Sequence, residues 1–343
     1  MRRPRVFSNR AARIGWATSG SLGDARVTFG ALPPPVAMRA ANVARWIDAN
    51  DRTLKNEPYR PGRRYDVVVF VKAMSDRHRG EAERIKNYGG RVVFDANVNY
   101  YEIWGDYEVP GTKPTAEQRS AAIEMTELAD HVVADSSYIH DRARKHNQNA
   151  SWIPDNVDTE LFRGQPRSGD DRLRLVWSGM AHKALPLLSV ADAFAALDDA
   201  ELVIVSNAVP EVFAELGGAI PCRFVEFTLA DYARMLRECD VIVSPKRLVN
   251  GYELGHTEWK ITLGMAVGLP AVASPQPSYV EAIGHRGGGI VASSVDEWRQ
   301  ALERLRDVRL RQELGDRARR TVVEQYSTPV VARRYRDLLR ELG

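Results

Sequence analysis

Three cations, Lys246, Arg247 and Lys260, bracket a polar stretch between two short apolar runs, Val241–Val243 and Ala271–Ala273. Apolar runs without alternation suit parallel strands covered on both faces. Between them Thr257 is placed to cap a helix whose Ile261 and Met265 share a face, and Gly268 with Pro270 ends it. A helix that starts just past the carboxyl end of a parallel strand turns free N–H groups toward the crevice where such sheets bind ligands. Cations at that spot make an anion site, and the anion that suits it is phosphate.

A second group has different chemistry. Asp95 ends the run Arg91-Val-Val-Phe-Asp95, at the side of a parallel sheet where ligands bind. Asn97, Asn99, Tyr100, Tyr101 and Trp104 follow it. Amides and aromatic rings in one loop suit a sugar, whose ring stacks on aromatics and whose hydroxyls take hydrogen bonds. The bland alternative is an aspartate that caps the next turn.

Other chemistries lack their residues. There is no Asp-x-Asp pair, no His-Glu-x-x-His and no zinc-type Cys/His spacing, so metal-dependent transfer is not expected. No Gly-x-Ser-x-Gly elbow or Cys/His pairing suggests a hydrolytic nucleophile. The loop Ser19-Gly-Ser-Leu-Gly23 is neither a P-loop nor a dinucleotide fingerprint. What remains is electrostatic catalysis, in which fixed N–H groups and lysines stabilise charge that builds on a departing phosphate.

The elements that must position these groups read as alternating strands and helices. Ala12–Thr18, Tyr65–Lys72, Arg91–Asp95 and a strand after Ala129 make one series, with helices over 38–47, 80–88 and 115–129. A linker rich in Pro, Gly and charge, 164–171, separates it from a second series that restarts at Leu173 and continues through Glu201–Ser206, Arg223–Phe227, Val241–Pro245 and Ala271–Ala273. The chain of 343 residues is long enough for two cores. Its net charge of +3 is small and dispersed, which gives no support for nucleic-acid binding. Cys222 and Cys239 stand alone and are expected to be reduced core thiols. Without a secretory signal or a membrane-length apolar run, the expectation is a soluble cytoplasmic protein, with at most peripheral membrane association.

Lys260, then Met-Ala-Val-Gly-Leu-Pro-Ala-Val-Ala-Ser274 and Ser-Tyr-Val-Glu-Ala-Ile283, resembles the donor-site segment of GT-B glycosyltransferases, family 4-like. Trp152-Ile-Pro-Asp-Asn-Val-Asp-Thr-Glu-Leu-Phe162 resembles the family's domain-closing segment, with Asn156 expected to keep the left-handed turn. The resemblance implies an α/β chain of two Rossmann-like parallel-sheet domains facing a cleft. Residues 1–164 would form the acceptor-side domain, 165–325 the donor domain and 326–343 a helix crossing back to the first. It also implies a metal-independent, retaining transfer from a nucleoside-diphosphate sugar, with no cofactor, to a sugar, lipid-linked or small-molecule acceptor.

The resemblance assigns roles residue by residue. Lys260, Lys183 and Asp95 are the expected catalytic groups. Gly179, His182, Lys246, Arg247, Glu253, Thr257 and Glu258 are expected around the donor, and Gly20, Asn97 and Asn99 on the acceptor side. The departures are specific. Met180 stands where an Arg is often found, and Gly255 and Leu263 occupy the positions of a glutamate pair whose second member usually holds the ribose hydroxyls. Losing such a charged hydrogen bond costs about 1.5–3 kcal/mol, unless Glu253 or Glu258 substitutes. These departures leave open a catalytically degenerate GT-B protein that binds or scaffolds. A nucleotide-sugar epimerase on the same fold lacks any additional acid/base pair to support it.

Overall fold

The computed structural model describes residues 10–19, 37–164 and 172–343. Gly20 and most of the 164–171 linker lie outside them. Two six-stranded, all-parallel sheets carry the chain. The first has the order β2-β1-β3-β4-β5-β6, from β1 Ala12–Thr18, β2 Leu54–Pro58, β3 Val67–Val71, β4 Arg91–Ala96, β5 His131–Ala134 and β6 Ala150–Trp152. The second has the order β12-β11-β10-β7-β8-β9, from β7 Leu173–Ser178, β8 Ala200–Ser206, β9 Cys222–Glu226, β10 Val241–Ser244, β11 Ala271–Ala273 and β12 Gly289–Val291.

The apolar runs are explained by what covers them. In the first sheet Val68, Phe70, Val92 and Phe94 pack on one side with Ile85 and Met125 of the helices Asp76–Asn87 and Ala116–Leu128. Val67, Val69 and Val93 point to the other side, into a core shared with Val43 and Ile47 of the helix Val43–Asn50 and with Tyr335 and Leu339 of the last helix, Thr328–Leu342. The second sheet is sandwiched in the same way. Ile242 and Ala273 meet Ile261 and Met265 on one face, while Val241, Val243 and Val272 meet Phe194 and Trp298 on the other. A strand buried on both faces has no polar side to show, so its sequence cannot alternate. β2 is the edge strand that periodicity missed: Leu-Lys-Asn-Glu-Pro is mostly polar, and Trp16 Nε1 ties it to β1 by donating to Asn56 Oδ1 at 2.9 Å.

The chain crosses between the sheets at two adjacent places. The segment 153–157 leaves the first sheet, and 326–328 returns the last helix to it. Val157 N donates to the Tyr326 carbonyl at 2.7 Å and Thr328 N to the Val157 carbonyl at 3.0 Å. Asn156 does not take the expected left-handed turn, since among the described residues the non-glycine positive φ angles are at Lys72, Asp199 and Leu248. It is buried instead, with its amide donating to the Met38 carbonyl and its Oδ1 accepting from Thr328 Oγ1 at 2.8 Å.

Candidate active site

The carboxyl ends of the two sheets meet across a cleft, and on the second-sheet side the lysines converge. β10 delivers Lys246, whose backbone N–H is held by Ser274 Oγ at 2.9 Å. β7 runs through Gly179 into the short turn Ala181–Lys183, and Lys183 Nζ donates to the Tyr252 hydroxyl at 2.8 Å. Lys260 sits in the first turn of the helix Trp259–Ala266, with Nζ 5.2 Å from the centre of the Trp177 ring. Gly179 is needed for that approach, because a Cβ there would lie 2.8 Å from both Lys260 Nζ and the Trp177 ring. Among the described residues none of the three lysines has a carboxylate in ion-pair contact.

Charge crowded in this way resists protonation. Burial first, and then Lys183, pull the Lys246 ammonium down to about 8, against an opposing pull from Glu253. Burial, with Lys246 and Lys183 adding, holds Lys260 well below the ordinary lysine range. His256 completes the cluster, its ring 4.4 Å from that of Tyr252 in an edge-on contact. Burial and then the charges of Lys246, Lys183, Lys260 and Lys72 push its imidazole far down, so it is neutral at pH 7. A shallow pocket, open to solvent, lies beside them between Lys183, Lys246, Tyr252 and His256. An anion entering the cleft relieves mutual repulsion among cations that lack counter-ions, so the arrangement binds negative charge.

His256 was not singled out by the sequence, where a single histidine in a polar loop carries no signal. Several residues that were singled out are placed differently. The helix begins at Trp259 with Glu258 at its N-cap position and no side-chain cap, so Thr257 does not cap it. Glu258 is fully buried, with neither carboxylate oxygen hydrogen-bonded among the described residues, and it feels the charges of Asp155 and Asp135. Burial first, and then those two charges, push its carboxyl well above the usual range. Glu253 accepts a hydrogen bond from Val249 N at 3.2 Å, which steadies the 246–250 loop. Arg247 is exposed and paired with Glu108 across the cleft, while His182 is exposed at the cleft edge.

Asp95 is the clearest correction. It is 0 % exposed; Arg39 Nε donates to its Oδ1 at 2.7 Å and the Tyr335 hydroxyl to its Oδ2 at 2.6 Å. Arg39 also reaches Asp155 Oδ1 at 3.1 Å and the Ile153 carbonyl at 2.9 Å. This buried network joins the first sheet, the crossing segment and the returning helix, and leaves no carboxylate lone pair facing a substrate. The loop after β4 is likewise divided. Tyr101 is buried with its hydroxyl 2.7 Å from Thr126 Oγ1, and Asn99 donates to the Gly251 carbonyl at 2.9 Å. Asn97, Tyr100 and Tyr101 of that group border a shallow dent beside the end of β4, together with Lys72.

The loop's other work is to clasp the two halves. Gly105 pairs antiparallel with Asn250, whose Nδ2 donates to the Asp106 carbonyl at 2.5 Å. Ser136 Oγ donates to the Gly255 carbonyl at 3.0 Å. The space at Gly255 is taken, because a Cβ there would come within 2.8 Å of Asn99 Cβ. Leu263 is 2 % exposed in the second-sheet core. Neither position of the missing glutamate pair faces open space. Among the described residues no group of three or more His, Cys, Asp or Glu is placed to hold a metal ion, and no helix is long and apolar enough to cross a membrane.

Comparison with known proteins gives the architecture its name. Residues 173–307 match the family model "Glycosyl transferases group 1". No curated protein matches the sequence. Among solved structures, a glycosyltransferase from Rickettsia africae superposes with TM-score 0.68 at 12% identity, covering 98% of this chain and 99% of that one. HepE of Anabaena, solved in complex with UDP and glucose, has TM-score 0.67 at 12% identity, covering 96% and 100%. Sucrose-phosphate synthase of Thermosynechococcus elongatus has TM-score 0.65 at 15% identity, covering 81% and 74%. The chain thus has the GT-B fold, and its segment 173–307 matches the model of the group 1 glycosyltransferases.

Proposed function

We propose that the protein transfers a sugar from a nucleoside-diphosphate sugar to an acceptor, without a metal ion and with retention of configuration. The observation that carries this reading is the set of three lysines without counter-ions, Lys183, Lys246 and Lys260, on one wall of the cleft within the group 1 segment. Their charges balance a diphosphate. As the bond from anomeric carbon to diphosphate oxygen breaks, negative charge grows on the leaving phosphate, and fixed cations in a half-dry cleft stabilise that state more than the ground state. That HepE is solved with UDP and glucose supports a nucleotide sugar as donor here. The resemblance to family 4-like enzymes supports retention.

A second reading is a GT-B protein that binds a nucleotide sugar without turning it over. Asn99 filling the space at Gly255, and Leu263 in the core, favour it, because no carboxylate stands where relatives hold the ribose. Thermal-shift screening with nucleoside diphosphates, with and without chelator, followed by assay of donor hydrolysis, tests both. Stabilisation that survives chelator, plus donor turnover, supports the transferase. Stabilisation without turnover supports the binder, and stabilisation that needs Mg²⁺ or Mn²⁺ overturns the metal-free mechanism.

A further inference from the structure

The three lysines of the cleft are not equally supported. Lys260 stands in a helix against Trp177, and the backbone of Lys246 is pinned by Ser274 Oγ. Lys183 ends a three-residue turn, Ala181–Lys183, and an ammonium on a flexible four-carbon stem holds no position by itself. The hydroxyl of Tyr252, 2.8 Å away, is the one hydrogen-bond partner of that ammonium among the described residues. Tyr252 is in turn fixed by a chain of contacts. Its ring meets His256 edge-on, and it belongs to the short helix Gly251–Leu254, capped by Asn250 Oδ1, which accepts from Glu253 N at 2.9 Å. Asn250 is buried, and its Nδ2 is spent on the Asp106 carbonyl in the loop of the first sheet. That loop also holds the next residue, since Asn99 donates to the Gly251 carbonyl.

Building on the transferase reading above, we infer that Tyr252 is the positioning residue for Lys183, and that the first-sheet loop 99–106 sets Lys183 by holding Asn250 and Gly251. A hydroxyl suits this task better than a carboxylate. It accepts one of the three ammonium N–H bonds without cancelling the charge, so two donors and the full charge remain for a diphosphate. An ammonium aimed in advance loses less freedom when the diphosphate arrives, so the effect is felt in affinity. The diphosphate site of the second sheet is then complete only while the loop of the first sheet is engaged.

The test is calorimetry on the full chain with UDP, GDP and ADP as probes, carrying forward the one that binds wild type most tightly. Lys183→Met is expected to weaken that binding about tenfold or more. Tyr252→Phe keeps the ring against His256 and removes the hydroxyl. It should weaken binding about three- to tenfold with the melting temperature unchanged. In the Lys183→Met background the same change should cost less than about twofold, because the ammonium it places is gone. A Tyr252 that only supports the fold would cost as much in either background. That result, or a Tyr252→Phe variant of wild-type affinity, overturns the inference. Asn250→Ser keeps a cap oxygen and deletes the donor to Asp106. It should weaken binding in wild type and do so clearly less in the Tyr252→Phe background, whereas equal losses overturn the loop's part in placing Lys183. Failure of all three diphosphates to bind, or no loss at Lys183→Met, instead brings down the donor reading on which the inference rests, and is seen before Tyr252 is changed.

Discussion

At the scale of single residues, the cleft separates cations that do chemistry from a carboxylate that holds the molecule together. Lys260 is fixed by its helix and by Trp177, so its removal should harm turnover most. Lys260→Ala is expected to lower donor turnover about 10²–10³-fold, by analogy with the loss of a fixed donor to a developing anion. Arg247, exposed and paired with Glu108, should cost far less when replaced by Ala, and side-by-side rates decide. Asp95→Asn should act on stability, since removing one partner of a buried ion pair costs about 3–5 kcal/mol. A variant of unchanged melting temperature but lost transfer would return Asp95 to the active site. The pH dependence follows from Lys246. Its folded pKa of about 8 lies below its value in the unfolded chain, so between those values the unfolded state binds more protons and ligand-free stability rises with pH. A bound anion favours the ammonium, so nucleoside diphosphate affinity should fall roughly tenfold between pH 7 and 9. A flat profile in calorimetry would remove Lys246 from the site. The lysines could be read in the sequence because helix starts and strand ends are local features. The fate of Asp95 could not, because Arg39 and Tyr335 approach it from remote parts of the chain.

At the scale of elements, the strands were legible wherever a sheet is covered on both faces, as with Val67–Val71 and Val241–Ser244. The polar edge strand Leu54–Pro58 was not, since its identity rests on pairing with β1 and not on its own residues. Nor was the clasp between 97–112 and 246–256, which is a meeting of two loops without periodicity. That clasp has a physical consequence for the site, because the second loop carries Lys246 and His256. Gly105 sits at φ +82°, and a Cβ there would lie 1.9 Å from the Val249 carbonyl oxygen. Gly105→Ala therefore has to push the loops apart, adding strain from an alanine in the left-handed region. We expect weaker nucleoside diphosphate binding, by about three- to tenfold, and faster hydrogen exchange across 246–256, with little change in exchange of the sheet strands. If exchange in that loop stays at the wild-type rate, the two loops hold their shapes independently.

At the scale of the whole molecule, the last helix belongs by sequence to the second half and by packing to the first. Leu339 is fully buried and shares a core with Ile14 and Val67, and the Tyr335 ring lies 5.7 Å from that of Trp16. The first sheet is thus incomplete until the chain has passed through the second and come back. Truncating a buried leucine costs about 2–5 kcal/mol, depending on how far the site can collapse. Leu339→Ala should therefore loosen β1 and β3, which precede it by most of the chain, before it touches β7 and β8. Hydrogen exchange resolves the two sheets separately: protection in Ile14–Thr18 and Val67–Val71 is expected to fall, while that in Leu202–Val205 holds. The Arg39 network adds a tie of a different kind, since Tyr335 donates to Asp95 while Arg39 binds Asp155 in the crossing segment. Tyr335→Phe keeps the ring and removes that donor, leaving Asp95 Oδ2 buried without it. It should thus loosen the first sheet as Leu339→Ala does, by the smaller amount of one charged hydrogen bond, about 1.5–3 kcal/mol. Equal loss of protection in both sheets would mean that the halves unfold as one unit, with the returning helix no more the property of the first sheet than of the second.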